Sequence, residues 1–398
     1  MRFTFVSNYI NHHQIPLSDV LYRELGADYH FIQTQRMEQE RAQMGWRVER
    51  SRLPYLECWY EDPEKCRKLV LGSDIVVFGG VEDESYIAER LGSGKPVIRY
   101  SERLYREGQW KAVSPRGLLK KYKDHTRYRR KSVYLLCSGA YVASDFHIVR
   151  AYPDKMYKWG YFTEAKHYDV DELMSGKSGA SGGPVELLFA GRFLPLKHPE
   201  YPMALAKRLR ERGLTFHLTM VGGGELEKAL KARAAKDGLE SMITFTGYRS
   251  PSEVRSYMEK ADIFLMTSNY LEGWGAVVNE AMNSGCAVIA DAKVGAVPFL
   301  IRHEKNGMVY ADKNPEEFLE YGERLARDRE LRERLGRQAY DTIVTFWNPE
   351  FAAESLLRFA EGILSGAPRY NEEGPLSKAP VIPPGKGYSY TRRKQEEF

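Results

Sequence analysis

The sequence is poor in cysteine, with only four in 398 residues. These four are Cys58, Cys66, Cys137 and Cys286. They show no metal-ligand spacing, and the last two fall in apolar, strand-like runs. We therefore predict reduced thiols, as in a cytosolic protein. We therefore expect neither a disulfide framework nor a cysteine-bound metal to organise the fold.

A long hydrophobic run is also missing. No apolar stretch reaches the roughly eighteen residues that a helix needs to cross a bilayer. Residues Met1–Ser7 are typical of a strand and show no signal-peptide pattern. Apolar residues make up 43% of the chain and charged residues 28%, the balance of a globular protein long enough for two domains. We expect a cytoplasmic protein that is at most peripheral at the inner face of the cell membrane.

Acidic residues are scarce in one segment, although the net charge of the whole chain is only +5. The segment Arg99–Lys131 holds twelve arginines and lysines and only three acidic residues. Five aromatic residues are interleaved with the basic ones: Tyr100, Tyr105, Trp110, Tyr122 and Tyr128. This composition is typical of a surface that meets anionic lipid, and also of a solvated basic helix. Because no recognition motif accompanies the charge, we do not expect nucleic acid as a partner.

Strand-like and helix-like runs alternate along the amino-terminal half. Strands are predicted at Arg2–Val6, Ile75–Phe78, Val97–Tyr100 and Val133–Cys137, and helices at Ile15–Leu25 and Tyr86–Leu91. The alternation predicts a doubly wound α/β domain, whose functional loops follow the carboxyl ends of its strands. Those loops are Ser7–Gln14, Phe78–Glu84 and Tyr100–Glu107.

The carboxyl-terminal half contains a more specific stretch, EGWGAVVNEAMNSGCAVIA, at Glu272–Ala290. It follows the buried strand Ile263–Ser268 and contains a predicted helix, Ala276–Asn283, and a second strand, Cys286–Ala290. In a parallel sheet the loop before such a helix lies at the carboxyl ends of the strands, where ligands bind.

Two carboxylates flank the start of this predicted helix. Glu272 lies in the loop, where Gly273 and Gly275 loosen the backbone, and Glu280 follows within the helix. The amides near Gly275 and Ala276 offer an anion site between the two carboxylates. The arrangement suits a ligand with hydroxyl groups at both ends and phosphates between them, which is a nucleotide sugar.

A second candidate phosphate site follows the predicted strand Val185–Ala190. Gly191 permits close backbone approach, Arg192 offers a planar fork of donors, and Lys197 supplies a point charge. Together they provide what a diphosphate leaving group requires. Gly223, in the triple-glycine turn after the strand Phe216–Val221, lets the backbone turn tightly near a ligand.

The Glu-x7-Glu pattern of Glu272 and Glu280 resembles the signature of the retaining glycosyltransferases of family 4, of the group 1 type. The Gly-Arg and Lys element at Gly191–Lys197 resembles a second motif of that family. The resemblance implies the GT-B fold, with two Rossmann-like, doubly wound domains facing an interdomain cleft and a crossover helix near the carboxyl terminus. It also implies a nucleotide-sugar donor and no metal cofactor.

The resemblance also assigns roles to single residues. Glu272 contacts the donor sugar, Glu280 the ribose hydroxyls, and Arg192 and Lys197 the donor phosphates. Tyr248 and Arg249 flank the nucleobase or form a plain turn. The remaining predicted donor contacts are the backbone positions Gly191, Gly223, Gly273, Gly275 and Ala276.

The sequence departs from the family pattern in its amino-terminal half. Many members carry a glycine-rich loop after the first strand, where this chain has polar residues that include His12 and His13. Many also carry a histidine after the strand that here is followed by Ser101 and Glu102. The role of that histidine passes to Glu102 or to the histidine pair, or is absent. Phe299 also stands where the family often has an acid.

We predict an amino-terminal, acceptor-binding domain at 1–165, completed by the crossover helix at about 347–364. A linker at 166–184 and a donor-binding domain at 185–346 follow the first domain, and a disordered tail at 365–398 follows the crossover helix. The predicted function is transfer of a hexose, preferably from a UDP-sugar, to a glycan or lipid-linked acceptor in cell-surface polysaccharide biosynthesis. The alternatives are a non-catalytic, nucleotide-sugar-binding partner subunit and a nucleotide-sugar epimerase of the same fold.

Overall fold

The computed structural model describes residues 1–38, 49–177, 179 and 182–392. These residues form two compact units. Unit 1 comprises Met1–Glu164 and Phe346–Pro383, and unit 2 comprises Ala165–Thr345 and the described residues from Pro384 onward. Neither unit is therefore one continuous stretch of chain.

Each unit is built on one parallel sheet flanked by helices. The strands, in chain order, are β1 Phe3–Ser7, β2 Tyr29–Gln33, β3 Leu56–Cys58, β4 Ile75–Gly79, β5 Val97–Ser101, β6 Val133–Ser138, β7 Met156–Trp159, β8 Val185–Ala190, β9 Phe216–Val221, β10 Ile243–Gly247, β11 Ile263–Met266, β12 Ala287–Asp291 and β13 Met308–Tyr310. The helices are α1 Ile15–Leu25, α2 Pro63–Gly72, α3 Ser85–Ser93, α4 Pro115–Asp124, α5 Val142–Ile148, α6 Val170–Ser175, α7 Glu200–Glu211, α8 Glu227–Lys236, α9 Pro251–Lys260, α10 Val277–Asn283, α11 Val297–Leu300, α12 Pro315–Arg327, α13 Arg329–Thr345, α14 Pro349–Leu364 and α15 Gly387–Thr391.

The strand orders confirm the predicted doubly wound architecture. Within the described chain, the sheet of unit 1 has seven strands in the order β3-β2-β1-β4-β5-β6-β7, and that of unit 2 has six in the order β10-β9-β8-β11-β12-β13. Both orders reverse after the first strand of the unit. The reversal creates a topological switch point between β1 and β4 in unit 1, and between β8 and β11 in unit 2.

The central strands are buried on both faces because helices cover both sides of each sheet. Every residue of β1, β4 and β6 is buried, and so is every residue of β11 and β12. Burial on both faces explains why these strands are continuous apolar runs and do not alternate with polar residues. It also explains why their positions could be predicted to within a residue or two.

Five helices begin at the same two-residue signature, a side-chain oxygen followed by proline. The side chains that accept a backbone N–H at these helix starts are Asp62, Ser114, Ser250, Asn314 and Asn348. The oxygen satisfies an amide that the first turn leaves unpaired, and the proline supplies a suitable backbone angle without needing a partner. The last of these helices, α14, is the predicted crossover helix and lies in unit 1.

The predicted linker is more ordered than its composition suggested. It contains α6, whose start Asp169 caps by accepting from the amides of Asp171 and Glu172. Met174 is buried, and so is Lys177, whose Nζ donates to the carbonyls of Ala261 at 2.6 Å and Ser284 at 3.0 Å. These two residues anchor the segment to unit 2, because the long lysine side chain ends at carbonyls left open by helix ends. Residues 178, 180 and 181 lie outside the described residues.

The prediction of a disordered tail is wrong for residues 365–392. Leu376 and Ile382 are buried in the structure, and the Leu376 amide donates to the carbonyl of Lys158 in β7 at 2.8 Å. The last helix, α15, returns to unit 2, where the carbonyl of Thr391 accepts from the amide of His303 at 3.0 Å. Scattered apolar residues among prolines can pack along a sheet edge, although they produce no periodic pattern. Residues 393–398 lie outside the described range.

No helix in the described part of the chain is long and apolar enough to cross a membrane. All four cysteines are buried free thiols.

Candidate donor-binding site in unit 2

Two loops meet at the switch point of unit 2. One follows β8 and covers 191–199, and the other follows β11 and covers 267–276. The amide of Asn269 donates to the carbonyl of Leu196 at 2.9 Å. The hydroxyl of Thr267 donates to the carbonyls of Lys197 at 2.7 Å and His198 at 3.1 Å. The loops are thus held together by backbone-directed hydrogen bonds where such sheets bind ligands.

The two loops bring together two residues that were predicted from distant parts of the sequence. The Lys197 ammonium contacts the Glu272 carboxylate, and both side chains are mostly buried, with 18% and 17% exposed. In this setting the attraction between the opposite charges is screened less than at an open surface. The pair leaves one cation and one anion fixed side by side at the rim of the sheet.

The triple glycine after β9 lets three chain segments approach one another closely. A Cβ on Gly222 would lie only 2.0 Å from the carbonyl oxygen of Gly191, and one on Gly224 would lie 2.8 Å from that of Phe193. The amide of Phe193 donates to the carbonyl of Gly223 at 2.8 Å. The need for glycine in this region is therefore at Gly222 and Gly224. At Gly191 a Cβ would approach the side chains of Phe189 and Lys197 only to ordinary contact distance.

Tyr248 and Arg249 follow β10, the strand next to β9, at the same edge of the sheet. The Tyr248 hydroxyl donates to the carbonyl of Gly223 at 3.1 Å, while the side chain stays 54% exposed. Arg249 is also exposed. The structure therefore brings Tyr248 to the glycine turn. The predicted role of both residues beside a nucleobase stays a prediction.

The Glu272 loop is locked by tight glycine contacts. A Cβ on Gly295 would lie 1.7 Å from the carbonyl oxygen of Gly273, and Gly275 has φ +88° with Met266 only 2.8 Å from where its Cβ would be. Between these glycines Trp274 is buried, and its indole N–H donates to Asn279 of α10 at 2.9 Å. These contacts fix the loop that carries Glu272.

The helix that follows, α10, starts one residue later than predicted. The amide of Glu280 donates to the carbonyl of Ala276 at 3.3 Å, so Glu280 lies in the first turn. Its own carbonyl accepts from the hydroxyl of Ser284 at 2.9 Å, and its side chain is half-buried. Glu272 and Glu280 therefore flank the start of a helix, as the spacing predicted. Their assigned contacts to sugar and ribose stay predictions.

A group of charged residues that sequence reasoning missed lies beside the Lys197 loop. His198 pairs through Nδ1 with Glu200 at 2.8 Å. At the end of β12, Asp291 is buried and accepts from the amide of Lys293 at 2.7 Å. Burial raises the pKa of Asp291 to about 7. An aspartate directly after a buried strand, at the ligand-binding edge, was the signal that could have revealed this group.

The residues predicted to replace the missing family histidine converge in unit 1. Tyr161 donates its hydroxyl to Glu102 at 2.5 Å, and the carboxylate also contacts Arg106. The ring of Tyr161 stacks on that of His13, with centroids 5.8 Å apart, and His13 lies against His12. The two alternatives, Glu102 and the histidine pair, are therefore joined through Tyr161. No sequence pattern singled out this tyrosine.

The basic segment Arg99–Lys131 is not the uniform surface that its composition predicted. Arg99 is buried in β5, where it contacts Glu84 and lies 2.7 Å from Nδ1 of His125. Burial, with the nearby Arg99 and Lys121, lowers the pKa of His125. Three of the five aromatics are also buried: Tyr100, Tyr105 and Tyr128. Part of the pattern therefore belongs to the core, because β5 and the turn after α4 lie within it.

The exposed part of this segment is amphipathic. It runs from the 3-10 turn Gln109–Val113 through α4. Its exposed large apolar side chains are Trp110, Val113, Leu118, Leu119 and Tyr122. Exposed basic residues stand among them, including Arg116, Lys120 and Lys123. An apolar surface edged by positive charge is therefore present in unit 1.

Among the described residues no group of three or more histidine, cysteine, aspartate or glutamate side chains could hold a metal ion. The prediction that the reaction needs no metal stays a prediction.

Residues 170–342 match the family model of the group 1 glycosyl transferases. The matched segment falls entirely within unit 2 and contains both switch-point loops. It thus covers Lys197, Glu272 and Glu280. Unit 1, with Glu102, lies outside the match.

Curated relatives resemble part of the chain. The amylovoran biosynthesis glycosyltransferase AmsK of Erwinia amylovora is 30% identical over 129 residues, which are 31% of this chain and 31% of that protein. A D-inositol 3-phosphate glycosyltransferase of Streptomyces bingchenggensis is 32% identical over 185 residues, 44% of this chain and 40% of that protein. The chain therefore spans less than half the length of these relatives.

A solved structure resembles both units. It is Anabaena Alr3699/HepE in complex with UDP, with a TM-score of 0.68 and 14% identity, covering 92% of this chain and 100% of that one. At this identity the likeness concerns the fold alone. The fold is that of the GT-B glycosyltransferases, with two Rossmann-like domains, as the sequence predicted.

Proposed function

We propose that the protein is a retaining glycosyltransferase that moves a hexose from a nucleotide-sugar donor to a glycan or lipid-linked acceptor, in cell-surface polysaccharide biosynthesis. The observation that carries the proposal is the Lys197–Glu272 pair at the switch point of unit 2. It lies within the segment that matches group 1 glycosyl transferases. The relatives are named as transferases, which favours transfer over the epimerase alternative.

Lys197 and Arg192 stabilise the departing nucleoside diphosphate. When the bond between sugar and phosphate breaks, negative charge grows on the leaving phosphate oxygen. Fixed cations lower the energy of that state more than the energy of the bound donor, which is what accelerates a reaction. The backbone of Lys197 is held in place because its carbonyl accepts a hydrogen bond from the Thr267 hydroxyl. Little reorganisation is therefore needed when charge develops.

We assign Glu272 to the other end of the breaking bond, the anomeric carbon of the sugar. Positive character develops at the anomeric carbon as the diphosphate leaves, and a carboxylate nearby stabilises it. In the structure the charge of this carboxylate is balanced by the ammonium of Lys197. A bound donor would enter between the two charges, with its diphosphate toward the lysine and its sugar toward the glutamate. Glu280, in the first turn of α10, would then bind the ribose hydroxyls.

We assign the acceptor to the loops of unit 1. Glu102, Tyr161 and His13 form a connected polar group after β5 and β7. Hydroxyl, carboxylate and imidazole groups of this kind orient a sugar hydroxyl by hydrogen bonds. UDP is the proposed nucleotide, supported by the UDP complex of the structurally similar HepE.

The donor proposal is tested by thermal stabilisation with UDP-, GDP-, ADP- and TDP-sugars. A ligand at one hundred times its Kd stabilises the folded state by about 2.7 kcal/mol, a shift of roughly 5 to 10 °C for a unit of this size. We expect one nucleotide class to give this shift and Glu280→Ala to abolish it. Glu240→Ala, an exposed carboxylate in the same unit, is the matched control. No shift with any nucleotide sugar would refute the donor site.

We also propose that the amphipathic segment 109–124 binds an anionic membrane surface. Trp110 is 70% exposed and Leu119 is 55% exposed. Keeping a patch of large apolar side chains in water is unfavourable, and such patches often mark an interaction surface. Each basic residue near an anionic bilayer contributes about 1 kcal/mol of binding. This attachment would place the acceptor loops of unit 1 close to lipid-linked substrates.

Co-sedimentation with phosphatidylglycerol vesicles tests the membrane proposal. We expect the protein to pellet with anionic vesicles, and Lys120→Glu with Lys123→Glu to release it. Lys68→Glu, on an exposed face of α2, is the control. Equal pelleting of the double variant and the wild type would contradict the assignment of this surface.

A further inference from the structure

His198, the residue after Lys197, has an unusual backbone conformation. Its φ of 46° lies in the left-handed region, which residues with a side chain rarely adopt and which glycine, asparagine and aspartate tolerate best. Its carbonyl accepts from the hydroxyl of Thr267 at 3.1 Å. The conformation is therefore held by the neighbouring loop, and the histidine side chain is directed by it.

Both nitrogens of the His198 ring have partners. Nδ1 lies 2.8 Å from a carboxylate oxygen of Glu200, and Nε2 lies 3.4 Å from the side-chain nitrogen of Asn269. The orientation of the Asn269 amide is set on its other side, because its oxygen accepts from the amide of Leu271 at 3.0 Å. The NH2 group of Asn269 must then face the ring. A ring that accepts at Nε2 carries its single proton on Nδ1 and is neutral.

Asn269 connects the ring to the site. Its backbone amide donates to the carbonyl of Leu196, and its carbonyl accepts from the amide of Glu272 at 3.0 Å. The residue that contacts the His198 ring therefore also fixes the backbone of Glu272. On the other side, His198 directly follows Lys197. The neutral ring thus links the two loops that carry the ion pair.

We propose that His198 is a positioning residue that holds Lys197 and Glu272 in register only while its ring is neutral. A proton on Nε2 would face the NH2 group of Asn269, and two donors repel. The charged ring would pair with Glu200 alone and release the loop that follows β11. The inference rests on the proposed function, since it takes Lys197 and Glu272 as ligands of the donor.

The groups that face His198 favour its charged form. Glu200 approaches from the start of α7, Asp291 from the end of β12, and Asp312 from the loop after β13. Asp312 is itself paired with the ammonium of Lys293 at 2.5 Å. The hydrogen bond to Glu200 raises the pKa of His198. The ring therefore gains its second proton, and loses the contact with Asn269, at a higher pH than a histidine with the ordinary pKa would.

The first measurement needs no ligand. Hydrogen exchange, corrected for the intrinsic pH dependence of the amides, is followed for segments 194–200 and 267–272 between pH 5.5 and 8.5. We expect protection to fall about tenfold on the acid side, the factor for one net hydrogen bond. The variant His198→Asn tolerates the left-handed backbone and does not titrate, so its protection should not fall on the acid side.

The matched control is His217→Asn. His217, near the start of β9, also pairs with a carboxylate, Glu186 at 3.3 Å, and the pKa of His217 is also raised by that hydrogen bond. It lies near the opposite ends of the strands, so its loss should leave the two segments unchanged. An acid-side loss of protection that persists in His198→Asn, or that disappears in His217→Asn, would overturn the proposal.

The second measurement uses UDP as the probe. We expect the affinity of the wild type to fall about tenfold toward pH 5.5 relative to His198→Asn, since both proteins meet the same ionisation of UDP. Parallel affinity profiles of the two proteins would overturn the role of His198 while leaving the donor site intact. A protein that shows the exchange pattern but binds no UDP would instead contradict UDP as the nucleotide.

Discussion

Replacing Gly295 by alanine would push the loop after β12 away from the loop that carries Glu272. The new Cβ would lie 1.7 Å from the carbonyl oxygen of Gly273, whereas real contacts of this kind are no closer than 3.0 Å. The Gly273 carbonyl would have to retreat by about 1.3 Å. The obstacle is backbone, so no side-chain rotation can relieve it. Gly273 directly follows Glu272, and the displacement would therefore reach the carboxylate.

The cost has two parts. Overpacking a tight contact costs about 1 to 3 kcal/mol. A retreat of this size also breaks the hydrogen bond from the Ala296 amide to the Trp274 carbonyl, now at 3.0 Å, which is worth about 1 kcal/mol. Together they predict a loss of about 2 to 4 kcal/mol and a fall in Tm of roughly 5 to 15 °C.

Thermal unfolding with and without UDP measures both consequences. We expect Gly295→Ala to lower Tm and also to lose the stabilisation by UDP, because Lys197, which we assign to the diphosphate, is paired with the displaced Glu272. Gly92→Ala is the control, since Gly92 lies in α3 with open space around it and alanine favours a helix. If Gly295→Ala kept both the wild-type Tm and the UDP shift, the reasoning that this contact positions Glu272 would be wrong.

Three buried side chains give further expected outcomes in urea unfolding. Burial raises the pKa of Asp291 to about 7, above the value near 4 of an unfolded aspartate, so the contribution of Asp291 to stability is fully present below about pH 4 and is lost as pH rises through 7. Asp291→Asn should remove this component of the pH dependence. Lys177→Met should cost about 3 kcal/mol, because it removes the ammonium that donates to the buried carbonyls of Ala261 and Ser284. Leu376→Ala should cost about 2 to 5 kcal/mol, whereas a tail that did not pack would show no change.

The parts of the fold that could be predicted are those with local physical causes. Strands such as β4 are continuous apolar runs because helices cover both faces of the sheet. Helix starts such as Asn348-Pro349 satisfy their own amides within a few residues. The candidate donor site could be predicted for the same reason, because Glu272 and Glu280 lie on one loop and the helix that follows it. Their spacing along the chain fixes their spacing in the fold.

The parts that could not be predicted depend on partners distant in the chain. Arg99 was counted as surface charge, yet Glu84 and His125 pair with it inside unit 1. Tyr161 joins Glu102 to His13 across long sequence separations. A one-dimensional pattern contains no signal for such pairings, because each residue alone is compatible with a solvated loop.

The three crossings of the chain between the units have a consequence for biosynthesis. Unit 1 is interrupted after Glu164 and resumes at Phe346, so a ribosome must add 181 residues before α14 can close it. At about 5 to 20 residues per second this takes roughly 10 to 40 s, during which α1 and the first sheet lack the helix that packs on them. Unit 2 in turn waits for α15. The nascent chain therefore leaves unit 1 unfinished until Phe346–Pro383 has emerged and unit 2 unfinished until α15 has emerged. Chaperones that shield the open face of unit 1 would have their longest opportunity in the first of these intervals.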